Sequence, residues 1–296
     1  MSFTERAEVF ECHGEPLCGI LSLPDGAAGK APHDVAVLIV VGGPQYRAGS
    51  HRQFVSLARS LARAGYPVLR FDTRGMGDSS GAAMSFEKSG ADISSAVAAL
   101  KKRCPGVERV VLWGLCDGAS AALLYLDETP AAPIAGLVLT NPWVRSEASL
   151  ARTHVKHYYF QRLRQREFWV KALSGQVARK ALADLARNVT AAVGGAKPAR
   201  GEDRPFQQRM AAALAKFDGP VALMLSGNDY TAKEFLEHAS GDPQWRKIMA
   251  RPLVTRIDFE AADHTFSSRA EQGRLEDATA AWLARSMPGA VAGRAA

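Results

Sequence analysis

The 296-residue chain lacks any apolar run near the roughly 20 residues that span a bilayer. Its opening stretch, MSFTERAEVFECHGEP, is too polar for a signal peptide. Cysteine is scarce: there are four, with no Cys-x-x-Cys and no Cys/His cluster at zinc spacing. A disulfide framework and a structural metal are therefore not expected, no cofactor is expected, and a reducing cytoplasmic setting is. No recognised nucleic-acid motif occurs, so nucleic acid is not an expected partner. Nor is the basic excess spread along the chain. The net charge is +7, yet Arg145 to Lys216 alone carry 15 Lys plus Arg against 5 Asp plus Glu, a local +10. The other 224 residues hold 22 basic and 25 acidic, a net −3. Charge is thus a property of one segment.

The remainder is ordinary globular composition, 47% hydrophobic and 23% charged, in a chain long enough for one large α/β domain or two small ones. AEVFEC and LCGILSLP flank His13-Gly14-Glu15-Pro16 and read as an antiparallel hairpin. Short apolar runs follow at 34–43, 67–75, 109–118, 135–143, 220–229 and 255–264, each ending in Gly, Asp, Trp or His. Unbroken Val/Ile/Leu runs mark strands buried on both faces, as in parallel sheets. Helical stretches separate them, one with Ser50 as the expected N-cap and Gly65 as its stop, another ending before Pro105. The alternation predicts a doubly wound, mostly parallel sheet with helices on both faces. About 75 residues after Trp143 carry helical pattern and no strand. The expected division is a core of 1–143 and 217–296 and a helical cap, or lid, of 144–216 coinciding with the +10 segment.

Gly114-Leu115-Cys116-Asp117-Gly118 carries the sharpest chemical signal, directly after the strand VVLW and before the small-residue helix GASAALLYL. This is a nucleophile-elbow pattern with Cys in place of Ser. Such a turn sets the thiol at a helix N-terminus, where unpaired N–H groups favour a thiolate and a developing oxyanion. A thiol nucleophile needs a base, and the base an orienter. The later strand ends supply both: Asp229 closes LMLSGND and His264 closes IDFEAADH. His264 would take the thiol proton and Asp229 would hold the imidazole. Locally Asp229 also resembles a helix N-cap, and Asp258 and Asp263 compete with it for the role of acid. One oxyanion donor would be the Asp117 amide. The other would come from Gly42-Gly43-Pro44-Gln45, where Pro44 has no N–H, leaving Gly43, preferred, or Gln45.

Gln45, Tyr46, Arg47 and Trp143 are candidate pocket residues, being loop positions beside the expected site. Cys12 and Cys18 sit in the hairpin, where they would have to face each other to act as a pair, and Cys104 ends a helix. His154 and His157, at i and i+3, have no nearby carboxylates and are a poor metal pair.

On these pieces the chain resembles the α/β-hydrolases over nearly its whole length: FDTRGMGDS after the fourth strand, the Gly-Gly-Pro loop, the elbow, SGND and ADHTF. Within them, GGPQYRAGSHRQF, LRFDTRGMGDSSG, WGLCDGASAAL and LSGNDYTAKEF resemble the type 1 hydrolases associated with the exosortase A system of Gram-negative bacteria. That resemblance implies a setting of exopolysaccharide synthesis and protein sorting, places the triad on Cys116, Asp229 and His264, and makes Arg74 to Ser79 structural.

A Cys-His-Asp set supports acyl transfer through a thioester intermediate. Esters and thioesters suit it better than amides, because thiolate leaves an amide adduct more readily than an unprotonated amine does. Esterase or thioesterase is the first expectation, acyltransferase the second, and a non-catalytic scaffold the third. A cap of +10 would favour an anionic small-molecule or carrier-bound acyl substrate, unless those residues only form solvated helix faces.

Overall fold

A computed structural model describes residues 2–25, 34–43, 45–145 and 204–288. The chain divides into two units, one of Met1–Val144 with Phe206–Ala296 and one of Arg145–Pro205. The first holds the sheet. Its elements are β1 (Phe3–Cys12), β2 (Glu15–Pro24), β3 (Val35–Val40), α1 (Gln53–Arg63), β4 (Val68–Phe71), α2 (Gly90–Arg103), β5 (Arg109–Leu115), α3 (Asp117–Glu128) and β6 (Ile134–Thr140). After the second unit come α4 (Phe206–Lys216), β7 (Val221–Ser226), α5 (Tyr230–Gly241), α6 (Pro243–Met249), β8 (Val254–Phe259) and α7 (Arg269–Ser286).

The eight strands lie in the order β1-β2-β4-β3-β5-β6-β7-β8. β1 and β2 pair antiparallel, β2 meets β4 antiparallel, and every later pairing is parallel. The continuous apolar runs have the predicted cause: all six residues of β3 are fully buried, because helices cover both faces. Leu38 and Val40 join one core with Leu100 of α2, Leu123 of α3, Met210 of α4 and Trp245 of α6. Val37 and Ile39 face the other, with Phe54 and Leu61 of α1 and Trp282 of α7. Each such buried side chain stabilises the fold by about 1.5–3 kcal/mol before entropy is counted.

Three expectations change. α4 supplies Phe206, Met210, Ala211 and Leu214 to the same core as α3, so 206–216 belongs with the sheet, and the second unit is Arg145–Pro205. Its basic Arg209 is not part of a charged lid either, since it pairs with Asp127 and Glu128 at 3.0 and 2.8 Å. Ser50 does not cap α1; Arg52 does, in a left-handed conformation at φ 66° and without a side-chain hydrogen bond. Cys12 and Cys18 do not face each other, because the hairpin register sets Cys18 opposite Val9 and Cys12 opposite Glu15. All four cysteines are free thiols.

Candidate active site

The strands of a parallel sheet finish on one edge, and that edge is where polar side chains enter the core. Thr140, Asn141, Ser226, Asp229 and Asp72 are all buried there. At the end of β5 the chain turns through Cys116, whose φ of 59° and ψ of −125° are costly for a residue with a side chain. The flanking glycines are required by close approach. A β-carbon on Gly114 would lie 2.5 Å from the Ala119 nitrogen and the Gly118 carbonyl, and one on Gly118 would strike the Val40 carbonyl. Two anchors hold the strained turn: the Cys116 carbonyl accepts from the Trp143 amide at 3.2 Å, and the Ser120 hydroxyl donates to the Trp143 carbonyl at 2.7 Å.

Asp229 and His264 meet as the sequence order predicts. Asp229 Oδ2 lies 2.8 Å from His264 Nδ1. The same carboxylate accepts from the Thr231 and Ala232 amides at 3.0 and 3.1 Å and so caps α5. Helix cap and histidine partner, which compete as readings of the sequence, are one carboxylate doing both. Burial works to raise the Asp229 pKa, but hydrogen bonding and charge from His264, with the two amides, hold it below the ordinary carboxylate value. His264 is pushed up to about 10, first by the hydrogen bond to Asp229, then by a hydrogen bond with Cys116. Cys116, His264 and Asp229 therefore lie in series.

The competing acids are engaged elsewhere. Asp258 is exposed and pairs with Arg256 on its own strand at 2.9 Å. Asp263 accepts from the amides of Thr265 and Ser267 and from the Ser267 hydroxyl, tying the turn that carries His264.

Asn141 escapes a reading by sequence. It ends β6 at φ 45°, donates through Nδ2 to Ser226 Oγ at 2.9 Å and to the His264 carbonyl at 3.2 Å, and accepts the Ser226 amide through Oδ1. It pins the histidine turn to two strand ends. Asn in a left-handed position just after a strand, as in Thr140-Asn141-Pro142, is the signal that was available.

Arg47 donates through its amide and guanidinium to buried Asp72 and pairs with Asp78 at 2.7 Å. Its charge is already balanced, so it holds the Gly42–Arg47 loop to the Arg74–Ser79 turn. The Asp78 amide also donates to Asp72 Oδ2 at 3.0 Å. Tyr46 is exposed beneath the Arg47 guanidinium, whose centre is 4.5 Å from the ring. Gln45 Oε1 is buried with no hydrogen-bond partner among the described residues. Trp143 is half-buried beside the elbow, its backbone bonded as above. Gly43 and Asp117 do come together: the amides of Gly43, Asp117 and Gly118 hydrogen-bond the Asp117 carboxylate, whose pKa burial nevertheless raises.

Among the described residues no group of three or more His, Cys, Asp or Glu could hold a metal ion. No helix there is long and apolar enough to cross a membrane. His154 and His157 lie outside the described residues.

Comparison with protein-family profiles matches residues 32–196 to Hydrolase_4, described as serine aminopeptidase, S33. The chain belongs to that family. The family is named for a serine, whereas the elbow of this chain carries Cys116. Among solved structures it is similar to the Pyrococcus furiosus esterase Pf2001, with 18% identity, a TM-score of 0.61 and 96% and 94% of the two chains covered. Est1E of Butyrivibrio proteoclasticus, solved with ferulic acid, matches at 16% identity and a TM-score of 0.62 over 95% and 99%. XC6422 of Xanthomonas campestris, described as an α/β serine hydrolase without lid, matches at 15% and 0.57 over 97% and 96%. A search of the curated proteins finds no match. The fold of this Hydrolase_4 member is the α/β-hydrolase fold.

Proposed function

We propose that this protein is a cysteine hydrolase that opens ester or thioester bonds through an acyl-Cys116 intermediate. The observation that carries the reading is the contact series Cys116–His264–Asp229, with Cys116 on a strained turn at the N-terminus of α3. With His264 raised to about 10, the imidazole keeps its proton at neutral pH. His264 is then the cation beside the attacking sulfur and the acid for the leaving group. In the reaction the Cys116 sulfur attacks the carbonyl carbon, the bond to the leaving alkoxide or thiolate breaks, and His264 protonates that group. Water, deprotonated by the now neutral His264, then cleaves the thioester and releases the acid.

Several finer features belong to the same proposal. Gln207 Nε2 donates to the Val144 carbonyl at 3.0 Å, so segment 145–205 leaves and rejoins the sheet-bearing unit at one place. The basic excess of that segment favours anionic or carrier-bound acyl substrates. The exosortase-linked motifs support a cytoplasmic role in exopolysaccharide synthesis. Gln45, Tyr46 and Trp143 are proposed to edge the substrate pocket.

The test is intact-mass spectrometry after incubation with acyl thioesters and activated esters. An acyl adduct on the native protein that Cys116→Ala abolishes supports the reading. Turnover that survives Cys116→Ala overturns it. Adding alcohol or amine acceptors and recovering acylated product instead of free acid would make the protein a transferase. A Michaelis constant indifferent to ionic strength would remove the electrostatic part.

A further inference from the structure

The two amides that should receive the substrate's oxyanion are Gly43 and Asp117, and both already have an anionic partner. The Asp117 side chain folds back across the Gly42-Gly43 backbone. A β-carbon on Gly42 would collide with Asp117 Oδ1 and the Gly118 nitrogen, and one on Gly43 would lie 3.4 Å from Asp117 Oδ2. The amides of Gly43, Asp117 and Gly118 all hydrogen-bond this carboxylate. It is held where a tetrahedral oxyanion would be, by the donors that would hold that oxyanion.

Resting on the acyl-transfer reading above, we infer that the Asp117 carboxylate is a built-in occupant of the oxyanion hole, which the substrate carbonyl must displace before Cys116 can be acylated.

The physical case has three parts. One carboxylate and one oxyanion carry the same charge, so both cannot occupy the same amides without strong repulsion in a partly desolvated site. The site gives the side chain somewhere to go. Asp117 lines a cavity of about 280 Å³ whose walls include Thr73, Met84, Ser85 and Ser89, where hydroxyls can meet a rotated carboxyl. The occupant is also poorly stabilised where it sits, since burial raises its pKa despite the amides and the His264 charge. A weakly held internal anion favours substrates able to meet the amides and the cavity together, and it leaves Cys116 slow toward carbonyls that offer only the first. Asp117 is thereby a specificity-determining residue.

The test separates steps that form an oxyanion from one that does not. Cys116 is acylated with p-nitrophenyl acetate, where sulfur bonds to the acetyl carbon and p-nitrophenolate leaves. In parallel it is alkylated with iodoacetamide, where sulfur displaces iodide and no oxyanion forms. The ratio of the two rates cancels any change in thiolate reactivity caused by removing a nearby negative charge. Asp117→Ala empties the hole, and the ratio is expected to rise roughly tenfold, less than the roughly 10²–10³-fold that loss of an oxyanion donor costs, because the donors themselves remain. Asp117→Asn keeps the shape and loses the charge, so it is expected to move the ratio the same way by a smaller factor. It also serves if the alanine variant folds poorly. An unchanged or lowered ratio in both variants overturns the inference and makes the carboxyl neutral or helpful in acylation. If native protein and variants are alkylated at Cys116 but never acylated, the hydrolase reading itself falls, and this inference with it.

Discussion

Asp117 and Asp229 stand at the same kind of place: each follows a parallel strand and opens a helix, and each carboxylate receives backbone amides from that helix. Their electrostatic fates are opposite. Asp229 is held below its ordinary pKa and Asp117 is raised above it. Helix N-termini alone therefore do not decide how stable a buried carboxylate is. Asp229 has a hydrogen-bonded imidazolium 2.8 Å away, while Asp117 receives only a through-space contribution from the same ring, weaker than that of its amides. One acid is a settled partner of the histidine; the other occupies donors that the chemistry needs free.

The strongest way to break this contrast is to remove the shared cation. His264→Ala is expected to lower kcat/KM for an activated ester by on the order of 10⁴-fold or more, measured by steady-state hydrolysis. It should also erase the difference between the acids, so that Asp229 titrates higher. A smaller loss, on the order of 10²–10⁴-fold, is expected for Asp229→Asn, because the ring loses both its orienter and the charge that keeps it protonated. In that variant the His264 ring should lose its proton at lower pH than in the native protein, read by NMR of the imidazole. A His264 titration identical to the native protein would show that Asp229 merely caps α5.

Asn141→Ala probes the support beneath the histidine. It leaves the Ser226 amide without its partner inside the core, and a loss of about 1–3 kcal/mol is expected in chemical denaturation. The kcat should fall as well, since the His264 turn loses its tie to β6.

The smallest effects lie in the pH dependence of stability, where the contrast has a sign. His264 folds with a value near 10 against an ordinary 6.5, so its stabilisation is complete below about pH 6.5 and is lost as the pH rises through 10. Asp229 is held below 3.8, so its stabilisation is present above that pH and is lost in more acidic solution. Asp117, raised above 3.8, costs stability once ionised. Asp117→Asn is therefore expected to melt slightly higher than the native protein at pH 7, by about 1 kcal/mol or less, with the gain shrinking as the pH falls. A lower melting temperature at pH 7 would mean that the three amides outweigh burial.

The legible parts of the sequence were those governed by local rules. Unbroken apolar runs mark doubly covered strands, Gly114 and Gly118 mark a tight strand-to-helix turn, and the chain order Cys116, Asp229, His264 places one residue at each of three strand ends. That Phe206–Lys216 belongs with the sheet is not legible, because α4 continues the helical pattern of the sequence before it; only its packing with α3 assigns it to the core. Nothing in GGPQYR announces that Arg47 pairs with Asp72 and Asp78, 25 and 31 residues away.

By itself, then, the sequence determined the fold, the edge of the sheet that carries chemistry, and the residue types available there, because periodicity and turn chemistry act over a few neighbouring positions. The tertiary structure decided the state of each group: that Asp229 caps and orients at once, that Asn141 ties the histidine turn, and that Asp117 lies across the Gly42-Gly43 amides. Those outcomes depend on distances between segments far apart in the chain and on how far burial removes water from each charge, quantities that no local pattern encodes.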